Sequence, residues 1–308
     1  MRQFNHESTT TDVLAGIDLS AKRVLITGAT AGLGWESARA LAAAGAEIIL
    51  TARNANKFAD AKARILESNP NAQLHYCELQ LHDLTSCREA AVALKQNFDH
   101  IDYVIANAGV MACEEQRTEQ GFEWQFGVNH LGHFVFVNHL LPLLKDNHCR
   151  VVVLSSGGHR YADVDLNDPN FNEQPYDKWV SYGRAKTANA LFAVELNRRM
   201  PHGTANAVHP GAIHTSLSRH MQAEDMAVMG ASMQDSGIVM KPLECGAATQ
   251  VWAVCSPELE GHGGLYLEDC QIGVESANPA SGYSAYALDP ANARQLWDLS
   301  ERLVGESY

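Results

Sequence analysis

The sequence predicts one α/β domain with a doubly wound parallel sheet that carries helices on both faces. Short runs of β-branched and other apolar residues alternate with Ala- and Leu-rich stretches of helical length, which is typical of successive βαβ units. The chain has 308 residues, 46% of them hydrophobic, which is enough for one sizeable core. No Pro-rich or low-complexity stretch divides it. We therefore expect one domain over residues 19–308, preceded by a short N-terminal arm over residues 1–18.

The strands and helices of this domain can be placed in order along the chain. Each predicted strand is a short apolar run, and the helix at 55–68 ends before Asn69 and Pro70. The predicted order is strand 23–27, helix 35–44, strand 47–51, helix 55–68, strand 74–79, helix 85–97, strand 103–106, a long helix 122–144, strand 150–154, a helix that carries Tyr182 and Lys186, and strand 204–208. Parallel strands joined by crossover helices require this alternation.

Two segments interrupt the alternation. Residues 157–180 are rich in Asp, Asn and Pro, and they are predicted to form an irregular insertion. Residues 214–241 contain five of the eight methionines, at positions 221, 226, 229, 233 and 240. Flexible thioethers make adaptable apolar surfaces, and long insertions often act as lids, so this segment is predicted to be a substrate lid. Ordinary core packing of the same methionines is the alternative.

Charge and cysteine content narrow the function classes and the location. The net charge of -13 disfavours contact with a nucleic-acid backbone, which requires clustered Lys and Arg. The seven cysteines form no C-x-x-C pair, which argues against a disulfide framework or a zinc site and favours a reducing cytosol. The N-terminus lacks the apolar core of a signal peptide, and polar residues interrupt the most apolar long stretch, 131–144. We expect a soluble, cytoplasmic protein.

A glycine-rich loop joins the first predicted strand to the first helix. It covers residues 27–34 and has the spacing G-x-x-x-G-x-G, unlike G-x-G-x-x-G or a phosphate loop with Gly-Lys-Ser/Thr. Glycines allow a tight turn, and the helix N-terminus offers unpaired N–H groups and a positive dipole end to a diphosphate. The loop therefore predicts a nucleotide site rather than a plain turn. The predicted contact residues are Gly28, Thr30, Gly32, Leu33 and Gly34.

The end of the second strand predicts which dinucleotide binds. A carboxylate there would accept hydrogen bonds from the ribose 2′-OH of NAD, whereas an Arg accommodates a 2′-phosphate. The chain has Arg53 and no carboxylate at this point, so NADP is predicted over NAD. A solvated loop cation is the alternative for Arg53. Just past the third strand, Asp83 and Leu84 are candidates to flank the adenine, although an Asp in this place often only caps a helix.

Tyr182 and Lys186 form the candidate acid/base pair. Four residues apart on a helix, their side chains lie on one face, one turn apart. A free phenol has a pKa of about 10, and a nearby cation can lower that pKa by about 1–3 units. The pair therefore predicts a phenol whose pKa is lowered toward the range of a general acid/base. Two exposed side chains on a solvated helix are the alternative.

Several motifs occur together and in a fixed order between residues 19 and 217. They are the loop 27–34, then Asn107, Ala108 and Gly109, then Asn129, then Ser155 and Ser156, then Tyr182 with Lys186, and then Pro210 and Gly211. In this combination the chain resembles the short-chain dehydrogenase/reductase family. The segments 129–144 and 182–198 and the long gap between Ser156 and Tyr182 resemble its retinol dehydrogenase-like branch. The resemblance implies a Rossmann-type fold and hydride transfer between a nicotinamide and a carbonyl or alcohol.

The resemblance also implies a role for each motif residue. Tyr182 would exchange a proton with the carbonyl or alcohol oxygen, while Lys186 would lower the pKa of Tyr182 and bind the nicotinamide ribose. Ser156 would donate to the same oxygen, with Ser155 as the second choice. Asn129 would hold a water that relays protons from Lys186, unless its amide is only satisfied within the core. The other implied cofactor contacts are Asn107, Ala108, Gly109, Pro210, Gly211, Ile213 and Thr215.

Other residues that could carry chemistry have plainer interpretations. His130, His133 and His139 lie close together on the predicted long helix, but no carboxylate or Cys shares their register, so no metal site is expected. Cys270 is interpreted as a small strand residue rather than a nucleophile. Ser156 could also cap the glycine turn that follows it.

The predicted function is NADP-dependent hydride transfer, with reduction of a ketone or aldehyde favoured because cellular NADP pools favour reduction. The methionines of the predicted lid favour an apolar substrate. The alternative is a non-catalytic NADP-binding sensor or scaffold, although such a protein would be expected to have lost Tyr182 or Lys186. A methyltransferase also uses a glycine loop but has no need for that pair. Apart from the substrate, a second copy of the chain is a candidate partner, paired through the helices that carry Asn129 and Tyr182; nucleic acid and membrane are not.

Overall fold

A computed structural model of the chain describes residues 4–144, 148–200, 202–278 and 280–308. Residues 1–3 of the predicted arm and residues 145–147, 201 and 279 of the predicted domain lie outside this part. The strands are β1 (Arg23–Ile26), β2 (Glu47–Ala52), β3 (Leu74–Glu78), β4 (Tyr103–Ala106), β5 (Arg150–Leu154), β6 (Thr204–His209), β7 (Ala212–Ile213), β8 (Met240–Lys241), β9 (Tyr266–Glu268) and β10 (Gln271–Ile272). Eight of them form one sheet in the order β3-β2-β1-β4-β5-β6-β9-β10, parallel except for β10, and β7 pairs with β8 separately.

Helices cover both faces of this sheet. They are α1 (Thr10–Leu14), α2 (Gly32–Ala43), α3 (Ala55–Ser68), α4 (Leu84–Asn97), α5 (Trp124–Phe126), α6 (Gly132–Leu140), α7 (Lys178–Arg199), α8 (Ala223–Asp235), α9 (Leu243–Cys255) and α10 (Pro290–Val304). Core residues of α1, α2, α3 and α9 pack on one face, and those of α4, α6, α7 and α10 pack on the other. The predicted doubly wound sheet is therefore confirmed. Within the described residues, every helix is too short or too polar to cross a membrane.

Helix α10 covers the face formed by α6 and α7. The rings of Phe134 and Trp297 meet edge to face with centroids 4.9 Å apart, and Phe192 stacks on Trp297 at 5.9 Å. All three side chains are buried. Two copies of the chain could pair through α6 and α7, as the sequence suggested, only by displacing α10.

The predicted long helix over residues 122–144 is present as an uninterrupted helical stretch over residues 124–143, but it is not α-helical throughout. The structure has α5, a π-helical turn at Gly127–Leu131, α6 and a 3₁₀ turn at Leu141–Leu143. Gly127 begins the π-helical turn and Gly132 follows it, and a β-carbon on either would collide with Thr118 or with the backbone of Leu81. Such turns are frequent at functional sites. The π-helical turn occurs where these two glycines approach other segments, and such contacts cannot be predicted from the local sequence pattern.

The interpretation of Cys270 as a strand residue is also wrong. Cys270 lies in the two-residue turn between β9 and β10, where Asp269 and Cys270 have φ angles of 51° and 55°. Positive φ at both central residues is typical of the turns that match the twist of a hairpin. Cys270 is buried, and its amide donates to Thr249 Oγ1 at 3.1 Å.

The described part of the N-terminal arm shares the core of the domain. Val13 and Leu14 of α1 are buried in the cluster that contains residues of α2 and α9. Thr10 donates from its hydroxyl to Glu36 at 2.6 Å, and both side chains are buried. Thr9 caps the helix reciprocally with Asp12. The described part of the arm is therefore packed against α2 and α9 rather than projecting from the domain.

Candidate active site

A cavity of about 510 Å³ opens at the carboxyl ends of the central strands. Ligands of doubly wound sheets bind at this edge, where the strand order reverses between β1 and β4. The cavity brings together residues from the loops after β4, β5 and β6, from α7 and from residues 214–241, the methionine-rich segment. The predicted site residues among its lining are Leu33, Asn107, Gly109, Ser155, Ser156, Tyr182, Lys186, Pro210, Gly211, Ile213 and Thr215.

The glycine loop has the shape of a diphosphate cradle. Gly28 and Gly32 have positive φ angles of 65° and 57°. A β-carbon at Gly34 would lie 2.5 Å from Asn107 Nδ2 and 2.6 Å from the carbonyl oxygen of Gly28. Helix α2 begins at Gly32 without a side-chain cap on Ala31, so no side chain satisfies its first N–H groups. The loop therefore fits the diphosphate of a dinucleotide.

The loop after β4 is hydrogen-bonded to the glycine loop. Asn107 donates from Nδ2 to the carbonyl oxygen of Thr27 at 2.8 Å. Thr27 Oγ1 accepts from the amide of Ala108 at 2.9 Å. A β-carbon at Gly109 would lie 3.1 Å from Asn129 Oδ1 and 3.6 Å from Lys186 Nζ. Residues 107–109 thus connect the glycine loop with the neighbourhood of Lys186.

Two arginines and a histidine lie near one another at the predicted ribose end. Arg53 follows β2, is exposed and makes no ion pair with any described residue. The pKa of Arg219 is lowered by burial first and then by the positive charge of Arg53. Burial, and then the charges of Arg219 and Arg53, lower the pKa of His220 in the same way. The fourth residue of the 3₁₀ turn Ser216–His220, Arg219, thus brings positive charge near Arg53, which the sequence pattern alone did not indicate.

Asp83 and Leu84 have structural contacts of their own. The carboxylate of Asp83 caps α4 by accepting from the amide of Thr85 at 2.9 Å, and it accepts from Gln120 Nε2 at 3.0 Å. The side chain of Leu84 is buried in the core. Helix capping by Asp83 is the alternative given above. Contact of either residue with adenine stays a prediction.

Tyr182 and Lys186 are buried side by side on α7, with exposures of 3% and 4%. The Lys186 ammonium lies 5.8 Å from the centre of the Tyr182 ring and donates to the carbonyl oxygen of Leu154 at 2.9 Å. Burial raises the pKa of Tyr182 to about 12, against the opposing effect of a hydrogen bond with Ser156. Burial also lowers the pKa of Lys186 to about 8. The expected lowering of the Tyr182 pKa by Lys186 is therefore wrong for this structure, because removal from water is the largest cause of the shift and Lys186 is not among its causes.

The two serines after β5 point to different partners. Ser155 donates from Oγ to the backbone carbonyl of Lys186 at 2.9 Å. Ser156 Oγ accepts from the amide of Gly158 at 3.0 Å, and the neighbouring hydroxyl lowers the pKa of Tyr182. A β-carbon at Gly158 would lie 2.6 Å from Tyr182 Cε1, so the glycine lets the ring approach. Ser156, rather than Ser155, is thus the hydroxyl beside Tyr182, and it caps the following turn as well.

Asn129 lies in the π-helical turn and is fully buried. Its amide group donates from Nδ2 to Val110 O at 2.9 Å and accepts at Oδ1 from Val110 N at 2.8 Å. Its backbone carbonyl accepts from His133 Nδ1 at 2.9 Å. The side chain is thus satisfied within the core, and the relay water predicted at Asn129 stays a prediction.

The segment after β6 closes one side of the cavity. Gly211 has a φ of 92°, and β7 pairs with β8 at the base of the methionine-rich segment. Thr215 caps the 3₁₀ turn Ser216–His220, and its Cβ lies 3.5 Å from where a β-carbon at Gly32 would be. The turn that carries Arg219 is therefore held against the glycine loop.

The methionine-rich segment forms a wall of the cavity. Met226, Met229, Met233 and Met240 line it, and Met226 and Met240 are 40% and 45% exposed. Ordinary core packing does not describe side chains so exposed. Met221 is not among the lining residues.

Several lining residues were missed from the sequence. The rings of Tyr161 and Trp179 lie 6.0 Å apart at the cavity wall. Lys241 forms an ion pair with Asp269, and both line the cavity. His209, directly before Pro210, accepts at Nδ1 from the amide of Gly157 at 3.0 Å. Of these residues, only His209 lies directly beside a motif recognised in the sequence, so it alone could have been predicted. The others come together through tertiary packing.

The histidines of the predicted long helix are bound to protein groups. His130 Nε2 lies 2.8 Å from Ser300 Oγ, and His139 Nε2 lies 2.7 Å from Glu306 Oε2. His133 Nε2 lies 2.9 Å from Thr27 Oγ1. No group of three His, Cys, Asp or Glu side chains among the described residues is arranged to hold a metal ion.

Four histidines with lowered pKa values predict loss of stability in mild acid; three of them are buried, and His209 is half-buried. Burial lowers the pKa of His130 and His209 to about 3 and that of His133 and His159 to about 4. These values lie below the usual 6.5, so the unfolded chain binds more protons than the folded one. The histidines' contribution is complete above about pH 6.5 and falls, at up to roughly 1.4 kcal/mol per group and pH unit, as the pH drops.

Urea unfolding at about pH 7 and about pH 5 measures this effect. The free energy of unfolding should be several kcal/mol lower at the more acidic pH. Lowering the pH also reduces the net charge of -13, so weaker charge repulsion would act in the opposite direction. Equal stability at both pH values would contradict the neutral state of these side chains.

Comparisons with known proteins agree with this geometry. A family model described as short chain dehydrogenase matches residues 22–226. Retinol dehydrogenase 14 from Mus musculus is 39% identical over 300 residues, 93% of this chain and 87% of that protein. The solved structure of an uncharacterized protein from Mycobacterium Paratuberculosis is 31% identical, with a TM-score of 0.74 over 98% of this chain and 99% of its own. A short chain dehydrogenase from Burkholderia cenocepacia J2315, solved in complex with NADP, shares the fold with a TM-score of 0.65 at 23% identity, over 81% of this chain and 96% of its own.

Proposed function

The chain belongs to the short-chain dehydrogenase/reductase family, in its retinol dehydrogenase-like branch, and from this premise we propose that it reduces an apolar ketone or aldehyde with NADPH. It is an NAD(P)-dependent oxidoreductase. One observation carries the proposed reaction: the hydroxyls of Ser156 and Tyr182 and the ammonium of Lys186 share one cavity beside the glycine loop. A base or acid, a donor to the reacting oxygen and a cation for the ribose are thus present together.

The residues of this chain would hold the cofactor along the carboxyl edge of the sheet. The glycine loop and the start of α2 would bind the diphosphate, and Arg53 the adenosine end. The loop 107–109 would lie beneath the ribose, and Ile213 and Thr215 would contact the carboxamide. When bound, NADPH supplies a hydride to the carbonyl carbon of the substrate.

Tyr182 would supply the proton. With a pKa of about 12, its phenol is protonated at neutral pH, which is the form that reduction requires. Ser156 Oγ accepts from the Gly158 amide, so its own hydrogen can be donated to the substrate oxygen. Both hydroxyls would therefore stabilise the negative charge that develops on that oxygen. Lys186, with a pKa of about 8, is largely cationic at neutral pH and would stabilise the phenolate left on Tyr182.

The preference for NADP rests on positive charge at the ribose end. The charge of Arg53 lowers the pKa values of Arg219 and His220, and Arg53 has no acidic partner among the described residues. A 2′-phosphate would offset this mutual repulsion, whereas a 2′-hydroxyl would not. The Burkholderia protein of the same fold binds NADP.

Arg53→Ala tests this preference. The dissociation constant of NADPH should rise roughly ten- to hundredfold, because a hydrogen bond to a charged group is lost. The dissociation constant of NADH should change less than about twofold. Fluorescence titration measures both. Arg302→Ala on the opposite face is the control, since Arg302 is exposed on α10 and should leave both constants unchanged. Equal loss of NADPH and NADH affinity would contradict the assignment.

The substrate class follows from the cavity wall. Thioethers of Met226, Met229 and Met233, together with the indole of Trp179, make that wall largely apolar. An apolar ketone or aldehyde would bury its hydrocarbon part there and direct its oxygen to Tyr182. A panel of such compounds, followed by NADPH absorbance, should contain at least one substrate. If the protein binds NADPH but the whole panel is silent, a non-catalytic NADP-binding protein becomes the better interpretation.

Location and oligomeric state remain inferences. The seven cysteines are free thiols, which fits the reducing cytoplasm that we propose. Pairing of two copies would use a surface other than α6 and α7, because α10 covers that face.

A further inference from the structure

His133 is a fully buried histidine that the reaction described above does not use. It lies in α6, one turn after Asn129, and its exposed fraction is zero. Its ring sits between two segments that line the cofactor side of the site. Nδ1 lies 2.9 Å from the backbone oxygen of Asn129, and Nε2 lies 2.9 Å from Thr27 Oγ1.

The direction of each hydrogen bond follows from chemistry. The carbonyl of Asn129 can only accept, so His133 Nδ1 carries the hydrogen. Burial lowers the pKa of His133 to about 4, so the ring is neutral and Nε2 has a free lone pair. Thr27 must then donate its hydroxyl hydrogen to Nε2. The same Thr27 oxygen accepts from the amide of Ala108 at 2.9 Å, so the hydroxyl is fully used.

These bonds tie together the segments around the cofactor site. Thr27 begins the glycine loop, and Ala108 belongs to the loop after β4. Asn129 belongs to the π-helical turn. Its side-chain amide hydrogen-bonds both the backbone N–H and the backbone carbonyl of Val110. Lys186 Nζ lies close to this junction, within 3.6 Å of a β-carbon placed at Gly109. The diphosphate cradle and the surroundings of Lys186 are thus linked through one imidazole.

His130 offers a comparison on the same helical stretch. It is also buried and neutral, with a pKa of about 3 caused first by burial. Its Nε2 donates to Ser300 Oγ on α10, since that hydroxyl donates its own hydrogen to Leu296 O at 2.8 Å. His130 therefore connects α10 to the core, and this hydrogen bond involves no residue of the glycine loop.

We propose that His133 is a positioning residue for the cofactor: its two hydrogen bonds hold the glycine loop and the π-helical turn together in the geometry that binds NADPH. The proposal rests on the proposed function, because it concerns the same cofactor site. It assigns to His133 an effect on cofactor affinity, whereas His130 has an effect on stability alone. The two histidines should therefore respond differently to the same substitution.

His133→Leu and His130→Leu form a matched pair. Both remove a buried imidazole, so both should lower the melting temperature measured by circular dichroism. His133→Leu should also raise the dissociation constant of NADPH about tenfold, because Thr27 and Asn129 lose their partners. His130→Leu should leave that constant within about twofold of the wild type. If His133→Leu does not fold, His133→Phe replaces it, since its ring fills similar space without a donor or an acceptor.

Thr27 variants test whether the two side chains act together. Thr27→Ser keeps the hydroxyl and should retain affinity for NADPH, whereas Thr27→Val should lose it. Adding His133→Leu, or His133→Phe, to Thr27→Val should change the constant by less than about twofold, because the shared bond is already absent.

Three results would overturn the proposal. They are an unchanged NADPH constant in His133→Leu or His133→Phe, an equal rise in His130→Leu, or effects of the Thr27 and His133 substitutions that simply multiply. In each case a wild type that binds and oxidises NADPH would leave the proposed function standing. A wild type that does not bind NADPH would reject both.

Discussion

Tyr182→Phe should lower the turnover number for carbonyl reduction by roughly a hundred- to ten-thousandfold, because it removes only the proton that the substrate oxygen receives. The ring would remain in place. It is buried at 3% exposure and packs against Gly158, where there is no room for a β-carbon. Ser156 keeps its hydrogen bond from the Gly158 amide. The melting temperature and the dissociation constant of NADPH should therefore stay close to the wild-type values.

Stopped-flow NADPH oxidation and fluorescence titration separate these effects. Tyr76→Phe is the matched control, because Tyr76 lies on the edge strand β3 and its hydroxyl contacts only Glu78 among the described residues, at 3.2 Å. That variant should turn over normally. Near wild-type turnover in Tyr182→Phe would reject its acid/base role. A loss of NADPH binding in the same variant would mean that the ring, not the proton, had been tested.

Lys186→Met should lower turnover by roughly a hundred- to thousandfold without lowering stability, because a preorganised charge is lost from the site. The ammonium is buried, and its pKa of about 8 instead of 10.5 shows that folding disfavours its charge. Met has a similar length and no charge to desolvate. The carbonyl of Leu154 would still accept from Asn189 Nδ2 at 2.9 Å. We expect an equal or higher melting temperature at neutral pH and weaker binding of NADPH.

The pH dependence of stability provides a second readout for Lys186. Below about pH 8 the wild type bears the full cost of the buried charge, and this cost disappears as the pH rises from about 8 to 10.5. The stability advantage of Lys186→Met should therefore shrink over that interval. Lys95→Met, at an exposed position on α4, should change neither turnover nor stability. A clearly destabilised Lys186→Met would show that Lys186 holds the fold together.

Local patterns predicted the central strands and the helix between β2 and β3 closely. The strands at Tyr103–Ala106 and Arg150–Leu154 and the helix Ala55–Ser68 have the bounds expected from the sequence. Each is a strong apolar or amphipathic run between clear breaks, so tertiary contacts had little to change. The glycine loop was likewise recognisable, because its spacing and its place between a strand and a helix are local properties.

Features that depend on distant parts of the chain were missed or wrong. The π-helical turn goes with the contacts of Gly127 and Gly132 with other segments. The pKa of Tyr182 rises because the phenol is buried, and spacing on a helix contains no information on burial. Arg219 meets Arg53 only because the segment after β6 folds back over the glycine loop.

The last helix, α10, was overlooked although local signals were present. Asp289 caps it by accepting from two backbone amides, Pro290 occupies its first turn, and Gly305 ends it with a φ of 73°. This combination of Asp, Pro and Gly marks helix ends in sequences. That α10 packs on the outer face of α6 and α7 could be seen only in the structure.

Transfer of deuterium from NADPH tests the central claim most directly. The protein is incubated with a panel of apolar ketones and aldehydes and NADPH that carries deuterium at C4 of the nicotinamide, and the products are analysed by mass spectrometry. We predict an alcohol with one deuterium on the former carbonyl carbon, formed by the wild type and not by Tyr182→Phe. Alcohols without deuterium, or no alcohol from any compound although NADPH is bound, would contradict hydride transfer by this site.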